Sequence, residues 1–296
     1  MRLRRKPWVD EAIHEFDAFV FSRDMELGEA QKGHWQDIFG RKAPLHVELG
    51  TGKGDFISQL AAKHPEINFI GIEAQQDVLY SAAKKIAASE LSNVRLLVFD
   101  INNIENIFAP AEVDRFYINF CDPWPKKRHA KRRLTHVGFL EKYRRLLKKP
   151  GELHFKTDNR PLFDFSLEQF AEAGLKTRDV SFDLHAENRP DNIMTEYERK
   201  FSGFGEKINR CEVIFTRSKR YDCVATKKGM PTSKSVHKTL FSFLLKPATK
   251  AIIIGIPIII AAVPISGSFS VNPAINAIKP YCKLQIVAFF FRLTEG

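Results

Sequence analysis

From Leu45 onward the chain alternates short apolar runs with longer stretches in which apolar residues recur every three to four positions. The short runs predict strands at 45–49, 67–72, 94–99, 115–120, 151–156, 176–184 and 209–215. The longer stretches predict helices over 55–64, 76–88, 136–147, 161–173 and 195–201, with Phe56, Ile57, Leu60 and Ala61 sharing one face of the first. Pro161 and Gly174 punctuate the start and end of the fourth helix. Upstream, the spacing of Ile13, Phe16 and Val20 predicts an amphipathic helix over 9–21. Strands alternating with helices specify the α/β class: a mainly parallel seven-stranded sheet with helices on both faces. Such sheets take ligands beyond the carboxyl ends of their strands.

Four strands end on or beside a carboxylate, namely Glu48, Glu73, Asp100 and Asp122. A parallel sheet gathers these side chains along one edge. The turn after the first strand is Gly50-Thr-Gly52-Lys-Gly54, whose glycines permit positive φ and a close ligand approach. It is GxGxG and not the dinucleotide GxGxxG. Glu48 before it and Asp55 after it set a negative environment that repels a pyrophosphate and attracts a cationic sulfonium bearing an α-amino group. Glu73 lies 21 residues after Gly52 and suits ribose hydroxyls, and Asp100 suits an adenine amine. The glycine turn alone is equally a plain structural turn. The ordered carboxylates after it point to S-adenosyl-L-methionine.

The segment Asn119-Phe-Cys-Asp122-Pro-Trp124-Pro-Lys126-Lys-Arg-His129 carries the rest of the candidate chemistry. Two prolines hold the chain extended around Trp124, which offers an aromatic surface beside a strand-end Asp for an amine- or amidine-bearing base, or else plugs the core. Residues 126–133 hold six positive charges in eight positions. A run of this kind is either a solvated face or, next to a reactive loop, a set of phosphate contacts.

Of 296 residues, 44% are hydrophobic and 27% charged, which excludes a wholly disordered chain, a collagen-like repeat and a small disulfide scaffold. Net charge is +11, yet residues 217–296 alone contribute +10, so a nucleic-acid argument has to rest on local clusters and not on the total. The division expected is a basic segment with a helix (1–44), a catalytic domain (45–216) and a basic, apolar extension of unknown role (217–296). Four separated cysteines without a CxxC fit reduced thiols in a cytoplasmic protein, and no metal site is expected. The basic N-terminus lacks the apolar stretch of a secretion signal. The apolar run at 251–265 is only fifteen residues long and is interrupted by Pro257 and Pro264, which weighs against a membrane anchor in the extension.

The segments Val47-Glu-Leu-Gly-Thr-Gly-Lys-Gly54, Asp122-Pro-Trp-Pro-Lys-Lys-Arg-His129, His154-Phe-Lys-Thr-Asp-Asn159 and Met194-Thr-Glu-Tyr-Glu198 resemble, in order, those of the bacterial tRNA (guanine-N7-)-methyltransferases. The likeness runs to about residue 216 and leaves 217–296 without a counterpart. It implies a class I S-adenosyl-L-methionine-dependent methyltransferase fold and methylation of guanine 46 in the tRNA variable loop, by a monomer or a homodimer. It further implies cofactor contacts at Glu48, Gly50, Gly52, Glu73, Asp100 and Asp122, with Asp122 also catalytic. Substrate contacts follow at Lys126, Asp158, Thr195, Glu196, Tyr197 and Glu198, and RNA contacts at Arg128, His129, Ala130, Lys131, Arg132 and Arg133. Residue by residue, Asp158 is also a candidate cap for the helix after Pro161, and Thr195-x-x-Glu198 a capping box. The competing readings are a methyltransferase acting on an amine of another nucleobase and an RNA-binding module without catalysis.

Overall fold

The computed structural model describes residues 5–25, 27–28 and 30–216; the expectations for 217–296, including the apolar run at 251–265, lie outside the described residues. Among the described residues eight strands form one sheet: β1 (Val20–Phe21), β2 (Leu45–Leu49), β3 (Asn68–Glu73), β4 (Val94–Val98), β5 (Val113–Asn119), β6 (Leu147–Thr157), β7 (Lys176–Ser181) and β8 (Asn209–Phe215). Their spatial order is β1-β4-β3-β2-β5-β6-β8-β7. Neighbours from β1 to β6 pair in parallel, and β8 runs antiparallel to both β6 and β7. The order reverses direction between β2 and β5, which opens a crevice at their carboxyl ends.

The seven expected strands are all present. The eighth, β1, comes from the region expected to be helical. Helix α1 (Val9–Ala12) tightens into a 3₁₀ turn (Ile13–Phe16), after which the chain extends and Val20 pairs with Leu96 at the sheet edge. Val20 is fully buried there, so packing on the sheet outweighs continuation of the helix. Residues 5–44 thus share the sheet and core of the domain that follows. A short helix not foreseen, α2 (Trp35–Phe39), buries Trp35, whose indole N–H donates to the Ile107 carbonyl at 2.8 Å.

Helices α3 (Asp55–Lys63) and α4 (Gln76–Ala88) cover one face, and α5 (Val137–Leu146) and α6 (Arg160–Glu172) the other. Strand alternation divides β2: Leu45, Val47 and Leu49 join the core under α5 and α6, and His46 and Glu48 turn to the opposite face. A last helix, α7 (Glu196–Ser202), precedes β8. Among the described residues no helix is long and apolar enough to cross a membrane.

Candidate active site

Strand order places the carboxyl ends of β4, β3, β2 and β5 side by side, and with them Asp100, Glu73, Glu48 and Asp122. The turn from β2 to α3 takes left-handed φ at Gly50 (79°), Gly52 (57°) and Gly54 (75°). At Gly54 a side chain has no room, since a Cβ there falls 2.6 Å from that of Ala82 on α4. At Gly50 and Gly52 a Cβ meets nothing within 4 Å, so those glycines serve the backbone turn and leave open space above it.

Glu48 sits beneath this turn, 3% exposed, accepting from the Thr51 hydroxyl at 2.5 Å and the Asn119 amide at 2.9 Å. Burial pushes its carboxyl up to about 7, against the pull of those two hydrogen bonds and of the Lys156 charge. Glu73 accepts from the amides of Gly52 (3.2 Å) and Gln75 (3.0 Å), which brace it against the glycine turn. Burial raises its pKa as well, and the neighbouring Asp122 charge pushes the same way. Asp100 accepts from the backbone and side-chain amides of Asn102 at 2.9 and 2.8 Å. Asp55 adds little to the field, because Lys85 lies 3.3 Å away and Arg199 pairs with its other oxygen. The negative character of the rim therefore comes from Glu73, Asp100 and Asp122, with Glu48 poised to ionise.

Asp122 is exposed and takes no side-chain hydrogen bond or ion pair from any described residue. Two non-glycine residues flank it in the left-handed region, Phe120 (φ 52°) and Trp124 (φ 43°). Such conformations cost about 1–3 kcal/mol each and persist where surroundings impose them. Here the Phe120 amide is tied to the Lys156 carbonyl at 2.9 Å, and Arg133 donates to the Pro123 and Trp124 carbonyls, both at 3.0 Å, while lying over the Phe165 ring. Arg133 thus holds the loop. Arg132 covers Trp124 at 4.9 Å and His129 meets it edge-on at 5.8 Å, so Trp124 is a loop platform and not a core plug. Lys126, Arg128 and Lys131 are exposed on and beside the 3₁₀ turn Lys127–Arg132, where Ala130 is half-buried.

Across the rim, Asp158 accepts from the Tyr197 hydroxyl at 3.0 Å. The α6 cap is Asn159, whose side chain accepts from the Leu162 amide at 2.9 Å, so Asp158 is left for other duties. The Thr195–Glu198 capping box is present. Within it the side chains divide. Glu196 pairs with Lys53 of the glycine turn at 3.0 Å, and Tyr197 is exposed. Glu198 is fully buried and receives Lys156 (2.8 Å), His185 (3.0 Å) and Asn192 (2.9 Å). Lys156 completes its donors at the Asn192 amide oxygen and the Ile193 carbonyl. A carboxylate enclosed in this way holds the 192–198 segment to β6.

Sequence reasoning missed Thr51, Asn119 and Lys156. All three lie inside quoted motifs, and the signal for the last two was their place on the same strand face as Glu48. Behind them, a cavity of about 340 Å³ opens on that face, lined by His46, Tyr117, His154 and Lys156 among others.

A family model described as a putative methyltransferase matches residues 42–211. The tRNA (guanine-N(7)-)-methyltransferase of Bacillus subtilis (strain 168) is 50% identical over 213 residues, which is 72% of this chain and 98% of that protein. Its namesake in Streptococcus mutans serotype c is 47% identical over 73% of this chain and all of that protein. The chain belongs to the tRNA (guanine-N(7)-)-methyltransferase family. The 16S rRNA methyltransferase KamB superimposes with a TM-score of 0.50 at 14% identity, covering 66% of this chain and 97% of KamB, a likeness of fold alone. The sheet of this tRNA (guanine-N(7)-)-methyltransferase family member is accordingly that of the class I S-adenosyl-L-methionine-dependent methyltransferases, with a two-residue strand added at one edge.

Proposed function

We propose that the protein transfers the methyl group of S-adenosyl-L-methionine to N7 of guanine 46 in the variable loop of tRNA, as a cytoplasmic enzyme. The observation that carries this reading is the alignment of Asp100, Glu73, Glu48 and Asp122 on four adjacent strand ends, below an open glycine turn. The residues present fit the cofactor: Glu73 for the ribose hydroxyls, Asp100 for the adenine amine, and Glu48, Gly50 and Gly52 around the amino-acid end. When bound, the cofactor supplies an electrophilic methyl whose bond to sulfur breaks with its electron pair left on sulfur.

The guanine N7 lone pair forms the new bond, and no proton has to leave the nucleophile. What remains for the protein is alignment and tolerance of the positive charge that arrives on the base. Asp122 suits both, because an exposed carboxylate held in a rigid loop can grip the base and offset that charge. Asp158, bonded to the Tyr197 hydroxyl, suits a substrate contact, and the family resemblance adds Lys126, Thr195 and Glu196 to the same role. The exposed cations Arg128, Lys131 and Arg132 suit the phosphates that follow.

The test is product mapping. Incubating the full chain with labelled S-adenosyl-L-methionine and unmodified tRNA, then digesting and sequencing the RNA, should place 7-methylguanosine at position 46. A methyl group on an exocyclic amine, or none at all, would overturn the reading.

A further inference from the structure

Beyond Tyr197 the aromatic surface continues. Phe120, Tyr197, Phe201 and Phe204 form a row, with ring centroids 5.1, 4.1 and 6.4 Å apart in turn. The middle pair is stacked at 26°, four residues apart on α7, and Phe204 meets Phe201 at 66° just past the helix end. Phe201 is half-buried, Tyr197 is 41% exposed and Phe204 75%, the highest of the large exposed apolar side chains among the described residues. Phe204 has no ring contact with any described residue other than Phe201. The fold therefore gains little by keeping a phenyl ring in water at this point.

Two further observations say what covers the row. One end of it is Phe120, two residues before Asp122, and the Tyr197 hydroxyl bonds to Asp158, so the row is continuous with the proposed guanine site. It is also interleaved with cations. Exposed Lys200 lies 5.7 Å from the Phe201 ring, and Lys207, though 3.2 Å from Asp183, keeps 73% of its side chain in solvent, while Arg199 is held by Asp55. Flat exposed rings among lysines suit unstacked nucleobases and their phosphates far better than an apolar protein segment.

We propose that Tyr197, Phe201 and Phe204 form a stacking platform for an unpaired nucleobase of the same tRNA that presents the target guanine. This rests on the methyltransferase reading and adds to it a second base-binding subsite on α7. Such a platform is tolerant of base identity, since every base has a π-face, and it contributes to tRNA affinity without touching the methyl group.

Phe204 is the ring to change, because its exposure frees the fold from depending on it. With the full chain and unmodified tRNA, Phe204→Leu should raise KM for tRNA about tenfold and leave kcat within about twofold, a loss in the range of one base–aromatic stack. Phe204→Tyr should restore the wild-type KM, and both variants should keep the wild-type thermal midpoint. A wild-type KM in Phe204→Leu, or a loss confined to kcat, would overturn the platform while leaving the methyltransferase reading in place. Direct tRNA binding by fluorescence anisotropy separates the two ideas. Should the wild-type chain fail to methylate, an unchanged Kd in Phe204→Leu still overturns the platform, and a Kd raised about tenfold and restored in Phe204→Tyr supports it.

Discussion

Replacing Asp122 with alanine is expected to slow methyl transfer to tRNA by about a hundredfold to a thousandfold, the range for losing one preorganised group that meets charge developing in a transition state. The fold should survive intact. Asp122 is exposed, and no described side chain pairs with it, so its removal leaves no buried group unsatisfied. The loop conformation is imposed from elsewhere, by Arg133 on the Pro123 and Trp124 carbonyls and by the Phe120 amide on β6. Single-turnover rates at saturating tRNA and cofactor isolate the chemical step from binding. Asp122→Asn should fall between wild type and alanine, since it keeps the shape and an acceptor but loses the charge. Wild-type rates in Asp122→Ala would remove this residue from the mechanism.

The second large effect concerns stability. Lys156 is 5% exposed and its three donors end on the Asn192 side chain, the Ile193 carbonyl and Glu198. Burial opposes ionisation of Glu198, but Lys156 together with the Asn192 and Thr195 hydrogen bonds keeps its carboxyl below the usual range. Lys156→Met removes the cation and strands a fully buried carboxylate, at a cost of about 3–5 kcal/mol. Urea unfolding should show the midpoint falling with little change in slope. The segment carrying Tyr197 is anchored through the same pair, so KM for tRNA should rise in whatever fraction remains folded. A loss below about 1 kcal/mol would contradict a closed ion pair at this place.

The two predictions differ in how legible their residues are in the sequence. Asp122 announces itself: a strand-end carboxylate set between proline, tryptophan and a basic run has few bland explanations. The glycine turn and the strand-end carboxylates are equally visible, because a parallel sheet converts a position in sequence into a position along one rim. Glu198 is different. Sequence shows a capping box, and the structure contains one, but nothing local reveals that Lys156, His185 and Asn192 converge on the same carboxylate from 42, 13 and 6 residues away. Tertiary burial gives Glu198 a bracing role that no local pattern shows.

Arg133 shows the same limit. Six cations within eight residues look alike in sequence, yet one donates to two loop carbonyls while Arg128 and Lys131 remain exposed. Asp55 looked like part of a negative cluster and is matched by Lys85 and Arg199, the latter 144 residues distant. The helix expected over 9–21 gave way for a comparable reason: helical spacing of Ile13, Phe16 and Val20 is compatible with a short helix followed by an edge strand, and only the neighbouring β4 decides. Local pattern specifies the elements, and long-range pairing decides which of their polar residues stay free to act.

The central claim is that a sulfonium cofactor settles on this carboxylate rim, and Glu48 offers the most direct way to measure it. Burial raises the Glu48 pKa to about 7, so its ionisation falls in the neutral range, and a cation beside it favours the ionised form. Titrating the full chain with S-adenosyl-L-methionine by calorimetry, between pH 6 and 8 in two buffers of unlike ionisation heat, reads that proton directly. The account predicts net proton release on binding near neutral pH and affinity that weakens as pH falls below 7, up to about tenfold per pH unit. No binding, or an affinity independent of pH with no proton exchanged, would contradict it.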